Sequence, residues 1–168
     1  IDSEDYIQTL SELNDETIET LASSLSNSKF IKQNLSEILK MLLEEMNTGE
    51  NEFTIQVLEE DEWTELELSC IFNAFREIAK SGLLSDEPTE AFKTLEDESI
   101  DSLAYYLANS KFVKINLNSI IDMLIGEVDL GGVTIKGFED DSNWSESELK
   151  NLFKGFSTIF KSGLIGSD

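Results

Sequence analysis

The strongest constraint on how this chain can fold is an internal repeat. Residues 63–84, WTELELSCIFNAFREIAKSGLL, are echoed by 144–165, WSESELKNLFKGFSTIFKSGLI, and residues 13–45 match 95–127 at 18 of 33 positions. Agreement on that scale marks a duplication, not a shared bias of composition. The offset is 82 residues early, 80 in the middle and 81 from the tryptophan onward, so a unit of about 82 residues spans 1–86 and recurs over 87–168. Few residues separate the units. Two lobes related by a pseudo-twofold axis and sharing apolar surface are therefore the expected arrangement, packed as one unit.

The echoed segments carry their own helix start and stop signals. Thr64 with Glu67, and Ser145 with Glu148, have capping-box spacing, in which side chain and backbone satisfy each other's unpaired donors. Trp63 and Trp144 precede those caps, and Leu68 and Leu149 follow at the fourth helical position, which is the spacing of a hydrophobic staple. Gly82 and Gly163 supply left-handed stops, after which Leu83 and Leu164 are expected to fold back toward Ile78 and Ile159. A fold role for the tryptophans is favoured over a ligand contact.

Each unit opens with a short acidic amphipathic helix, the second beginning at Pro88, whose fixed φ suits a first helical position. Asp15 and Asp97 read as N-caps of a second helix, and Ser28 and Ser110 as N-caps of a third, the most apolar in each unit. Asn34 and Asn116 recur inside the third helices, where a buried amide tying down a loop is the favoured reading over a binding residue. Next, Phe53–Leu58 and Val133–Phe138 alternate and are rich in β-branched residues, which predicts strands. Residues Glu127–Leu130, the Gly131-Gly132 pair and Val133 onward read as a β-hairpin. The expected fold is α+β and mostly α-helical: three helices, a short strand or hairpin, and a capped C-terminal helix in each unit.

Charge is the outlier in composition. Twelve Lys and Arg stand against 35 Asp and Glu, for a formal net charge of −23. Such an excess repels itself in the compact state. Nucleic acid and anionic membrane are disfavoured as direct partners, because phosphate contacts need clustered Lys and Arg. The apolar stretches are interrupted well short of the roughly 20 residues of a spanning helix, so a cytoplasmic protein is expected. The excess is uneven: net −15 over 1–86 and net −8 over 87–168.

Chemistry is scarce. Histidine is absent, which removes the commonest general base and metal ligand at neutral pH. The single cysteine, Cys70, falls among apolar helix positions and reads as a small buried residue, so zinc and iron–sulfur sites have no ligand set. No phosphate-binding glycine loop or nucleophile elbow occurs. Asp140-Asp141-Ser142-Asn143 is oxygen-rich but lacks the mid-loop glycine and final glutamate of a calcium-binding EF-hand. No catalytic residue, metal or cofactor is expected.

What remains is a binding surface. The strands deliver acidic runs straight into the staple tryptophans, so the candidate partner-binding residues are Glu50, Glu52, Glu59, Glu60, Asp61, Glu62, Glu139, Asp140 and Asp141. Carboxylates at helical spacing stand roughly 5–6 Å apart, comparable to phosphates along a nucleic-acid strand. The expectation is a non-enzymatic inhibitor of a basic, nucleic-acid-acting protein: a toxin immunity protein, or a phage nucleic-acid mimic directed at a defence enzyme. The alternative is a scaffold or adaptor that holds a partner in a groove between its lobes. The bland reading of any one acidic run is a solvated face that confers solubility.

Overall fold

Periodic apolar positions, caps and glycine stops resolve into helices throughout the computed structural model, which describes residues 3–47, 54–125, 138 and 143–164. The first unit contains α1 (Ser3–Ser11), α2 (Asp15–Ser26), α3 (Lys29–Met46), a 3₁₀ turn (Glu60–Glu62) and α4 (Glu65–Ser81). The second contains α5 (Pro88–Thr94), α6 (Asp97–Asn109), α7 (Lys111–Ile115), α8 (Leu117–Ile125) and α9 (Glu146–Ser162).

The local signals act largely as their chemistry dictates. Ser28, Thr64, Ser110 and Ser145 each accept the backbone N–H three residues on with the side-chain oxygen. Gly82 and Gly163 end α4 and α9 at φ +80° and +81°, a conformation that costs any residue with a Cβ. Trp63 and Trp144 are buried, as are Leu68 and Leu149 across the staples. The cap of α2 is displaced by one residue: Asn14, not Asp15, accepts the Thr17 N–H, and Asp15 becomes the first helical residue. Likewise Glu96 precedes α6 and Asp97 opens it.

The expected α+β fold is overturned. Helical turns take up 79% of the described residues, and no strand occurs among them. Residues 54–58 take no regular structure, with Ile55 and Leu58 buried, and the backbone of Gln56 and Leu58 finds side chains instead of a second strand. Gln56 N–H donates to Asn116 Oδ1 at 2.7 Å, Asn116 Nδ2 donates back to the Gln56 carbonyl at 2.9 Å, and Ser36 Oγ reaches the Leu58 carbonyl at 3.3 Å. A single buried amide thus does for this segment what a neighbouring strand would have done. Apart from Phe138, the hairpin expected over Glu127–Phe138 lies outside the described residues.

The third helix of the second unit is also divided. Asn116, at φ −108° and ψ 12°, separates α7 from α8, whereas α3 runs unbroken past its equivalent Asn34. Asn116 is 2% exposed and ties Gln56 to the Phe112 carbonyl, as a loop-pinning amide should. Asn34 is exposed, and among the described residues its side chain bonds within its own helix, to the Phe30 carbonyl. Identical residues in equivalent places do different work.

The same asymmetry overturns the pseudo-twofold arrangement. Helix α4 packs against α1 and α2 of its own unit and against α6 and α7 of the next. Helix α9 packs against α5 and α6, with no comparable packing on α2 or α3 among the described residues. A twofold would require the reciprocal contact. The two units are stacked in series, and α4 is the shared wall of one continuous apolar core that runs from Leu10 to Phe160.

Candidate functional site

The acidic run Glu59-Glu60-Asp61-Glu62 sits where extended chain turns into the 3₁₀ turn that feeds α4. Its placement is fixed from beneath. Upstream, Leu58 is buried and Gln56 is clamped by Asn116; downstream, Trp63 is buried with its ring 5.7 Å from that of Phe112. Burial of one such side chain is worth about 1.5–3 kcal/mol, so the short turn between these anchors has little freedom. Glu59, Glu60 and Asp61 are exposed.

Glu62 has a different task. Its Oε1 accepts the Glu59 N–H at 3.0 Å and its Oε2 faces Lys111 Nζ at 3.5 Å. The Glu59 N–H holds its carboxyl below the usual range; desolvation opposes this, and the contact with Lys111 adds to the lowering. Glu62 therefore closes the turn and reaches toward the second unit, leaving its three neighbours as the outward-facing carboxylates. Of the other candidates, Glu50, Glu52, Glu139, Asp140 and Asp141 lie outside the described residues.

Sequence reasoning missed the most constrained carboxylate. Glu67, 7% exposed, completes only half of the expected capping box: its N–H reaches Thr64 Oγ1, but its side chain turns across the seam between units. There Oε2 accepts Ser110 Oγ–H at 2.6 Å and Phe112 N–H at 3.1 Å, and Oε1 accepts Lys111 N–H at 2.9 Å. A carboxylate has been placed on the unpaired N–H groups that open α7, where charge and donor geometry both favour it. The capping-box spacing concealed this role, because a glutamate at that position has a local partner on paper.

Cys70 is partly buried and its thiol points to the Tyr106 carbonyl at 3.6 Å. Burial, and after it the nearby Glu67 charge, pushes the thiol up to about 11, which disfavours a nucleophilic thiolate. A cleft of about 600 Å³ lies between α2 and α4, lined by Glu19, Ser23, Ser24, Glu65, Leu66 and Ser69. Both of its glutamates are exposed to solvent. At the equivalent place in the second unit Tyr105 and Tyr106 replace the two serines, and Lys150 lies 3.8 Å from Asp101 and 3.5 Å from Glu146. Among the described residues no group of three or more acidic or cysteine side chains is placed to hold a metal ion, and no helix is long and apolar enough to cross a membrane. The chain matches no known family model, no curated protein and no solved structure.

Proposed function

We propose that this chain is a non-enzymatic acidic binding protein that occupies, and so inhibits, a basic protein acting on nucleic acid, as a toxin immunity protein or a nucleic-acid mimic does. The observation that carries the reading is the anchored turn at Glu59-Glu60-Asp61, whose carboxylates are exposed on a backbone held by Asn116, Leu58 and Trp63. Pre-set charge binds with less ordering cost than charge on a loose tail. With 35 acidic side chains against 12 basic ones, most carboxylates have no cation available to pair with them, and their field steers a positive partner inward.

The test is capture of partners from the native host, followed by titration of the captured protein with the wild-type chain and with a Glu59→Lys, Glu60→Lys, Asp61→Lys variant. The expected partner is basic, is displaced from duplex DNA by the wild-type chain, and binds the variant at least tenfold more weakly with a shallower salt dependence. Unchanged affinity and salt dependence would sink the reading.

The adaptor alternative draws on a separate observation. The seam between units is filled by residues such as Trp63 and Phe112, but Phe30, Leu66 and Leu164 are large apolar side chains left 76%, 81% and 83% exposed. A captured partner that stays bound in about 0.5 M salt, where exposed charge pairs are screened, favours this second reading over the first.

A further inference from the structure

The seam between the two units has two unlike sides, and each side occurs a second time among the described residues with less of its surface covered. One side is α4, which meets α6 and α7 through Glu67 and the stripe that follows it at helical spacing, Ile71, Ala74 and Ile78, three residues that are 0% exposed. The other is the end of α6 and the start of α7, with Leu107, Ser110, Phe112 and Val113 all 0% exposed. The repeat places Glu148, Leu152, Gly155 and Ile159 on α9 where α4 has its stripe. It places Leu25, Ser28, Phe30 and Ile31 on α2 and α3 where the second unit has its half of the seam. At these outer positions burial is lost: Phe30 is 76% exposed, Ile159 is 37% exposed, and Leu25, Ile31 and Leu152 are only partly buried.

We infer that these two end faces bind each other between molecules, so that the α2–α3 face of one chain docks on α9 of a second copy of the same chain, head to tail. The occupant is read from the seam itself. The polar contacts that lock the seam use Glu67 with Ser110, Lys111 and Phe112, and the end faces carry the same residue types, Glu148 on one and Ser28, Lys29 and Phe30 on the other. Glu148 of one chain accepts the Ser28 hydroxyl and the first N–H groups of α3 in the next, as Glu67 does within the chain. Gly155 supports the fit. A glycine inside a helix costs about 1 kcal/mol relative to alanine, and in the isolated chain a Cβ there would meet nothing within 4 Å. Its equivalent in the seam is the fully buried Ala74, so close helix approach is what the position serves. A heterologous contact of this kind leaves one free face at each end and propagates unless its rotation closes a ring. Two bodies of net charge −23 repel, so added salt strengthens the contact.

Sedimentation velocity and light scattering from about 1 µM to about 1 mM, in about 0.05 M and 0.5 M NaCl, read the mass; the higher salt shortens the Debye length severalfold. The expected mass rises with concentration from 18.9 kDa past the dimer, more steeply at high salt. Phe30→Glu blocks one face and Ile159→Arg the other, so each variant alone is monomeric, yet an equimolar mixture, which retains one intact pair of faces, forms a dimer and stops there. Gly155→Leu fills space that is open in the single chain and must abolish association while leaving the circular dichroism of the fold intact and its urea midpoint no lower, since leucine is the better helix former. A wild-type chain monomeric at every concentration, or a mixture of the two blocked variants that stays monomeric, overturns the inference.

Discussion

Glu67 concentrates the energetics of the seam in one side chain. Removing its carboxylate leaves the Ser110 hydroxyl and two backbone N–H groups without their acceptor in a buried site, and charged hydrogen bonds of this kind are worth about 1.5–3 kcal/mol. Glu67→Ala is therefore expected to cost about 3 kcal/mol, read as a fall in the urea midpoint, while Glu65→Ala on the exposed side of the same turn changes it by less than about 0.5 kcal/mol. Two partly buried groups set the alkaline limit. Tyr6 donates to the Leu42 carbonyl at 2.8 Å, and burial, followed by the Glu45 charge, pushes its phenol from 10.0 to about 12; Cys70 is raised from 9.0 to about 11. In both, the fold favours the neutral form. The stability they contribute is complete below the ordinary value and is lost as pH rises toward the raised one. The urea midpoint should hold to about pH 9 and decline toward pH 12, and Tyr6→Phe should make the decline shallower above pH 10, leaving the Cys70 part, which ends near pH 11. A midpoint that rose across that window would contradict the assignment.

At the scale of elements, the irregular segment before α4 shows how much one amide can replace. Asn116 makes three hydrogen bonds from a buried position, two of them to the backbone of Gln56. Asn116→Ala strands that backbone and should cost about 2–3 kcal/mol; Asn34→Ala, on an exposed surface, should change stability by less than about 0.5 kcal/mol. Chemical denaturation of the two variants side by side checks the contrast, and equal costs would mean that Asn116 does not hold the segment. The α4 stop offers a second check. Gly82 lies at φ +80° with its would-be Cβ 3.4 Å from Ala91 Cβ, so Gly82→Ala combines left-handed strain of about 1–2 kcal/mol with a tight contact on α5. The alternation over 53–58 was misleading because a chain with one face on a core alternates whether or not it pairs edge to edge. Strand formation needs a partner at the right distance, and here the partner is a helix.

For the whole molecule the charge is the controlling quantity. At net −23 the folded state repels itself more than the expanded one, and the effect is screened over roughly 10 Å at 0.1 M salt. Raising NaCl from about 0.02 M to 0.5 M should lift the melting temperature by several degrees, measured by calorimetry; a flat response would mean that the carboxylates are spread widely enough to ignore one another. The same repulsion explains why the outward carboxylates Glu59, Glu60 and Asp61 have to be held by Leu58, Trp63 and Asn116 rather than left on a free loop.

Much of the architecture was legible residue by residue. Caps at Ser28, Thr64, Ser110 and Ser145, the stops at Gly82 and Gly163, and the staple tryptophans are local features, determined by hydrogen bonds and φ values within a few positions of each other. The acidic turn was legible too, in its composition and in its position ahead of Trp63. What the repeat could not disclose was how its copies meet, because identical local signals are compatible with a twofold or with stacking in series. That choice belongs to contacts between residues far apart in the chain: Glu67 crossing to Ser110 and Asn116 to Gln56, with Phe112 sealed at 0% exposure while Phe30, its counterpart, stands at 76%. Local sequence determines helices and their ends; only packing decides which of two equal faces is covered.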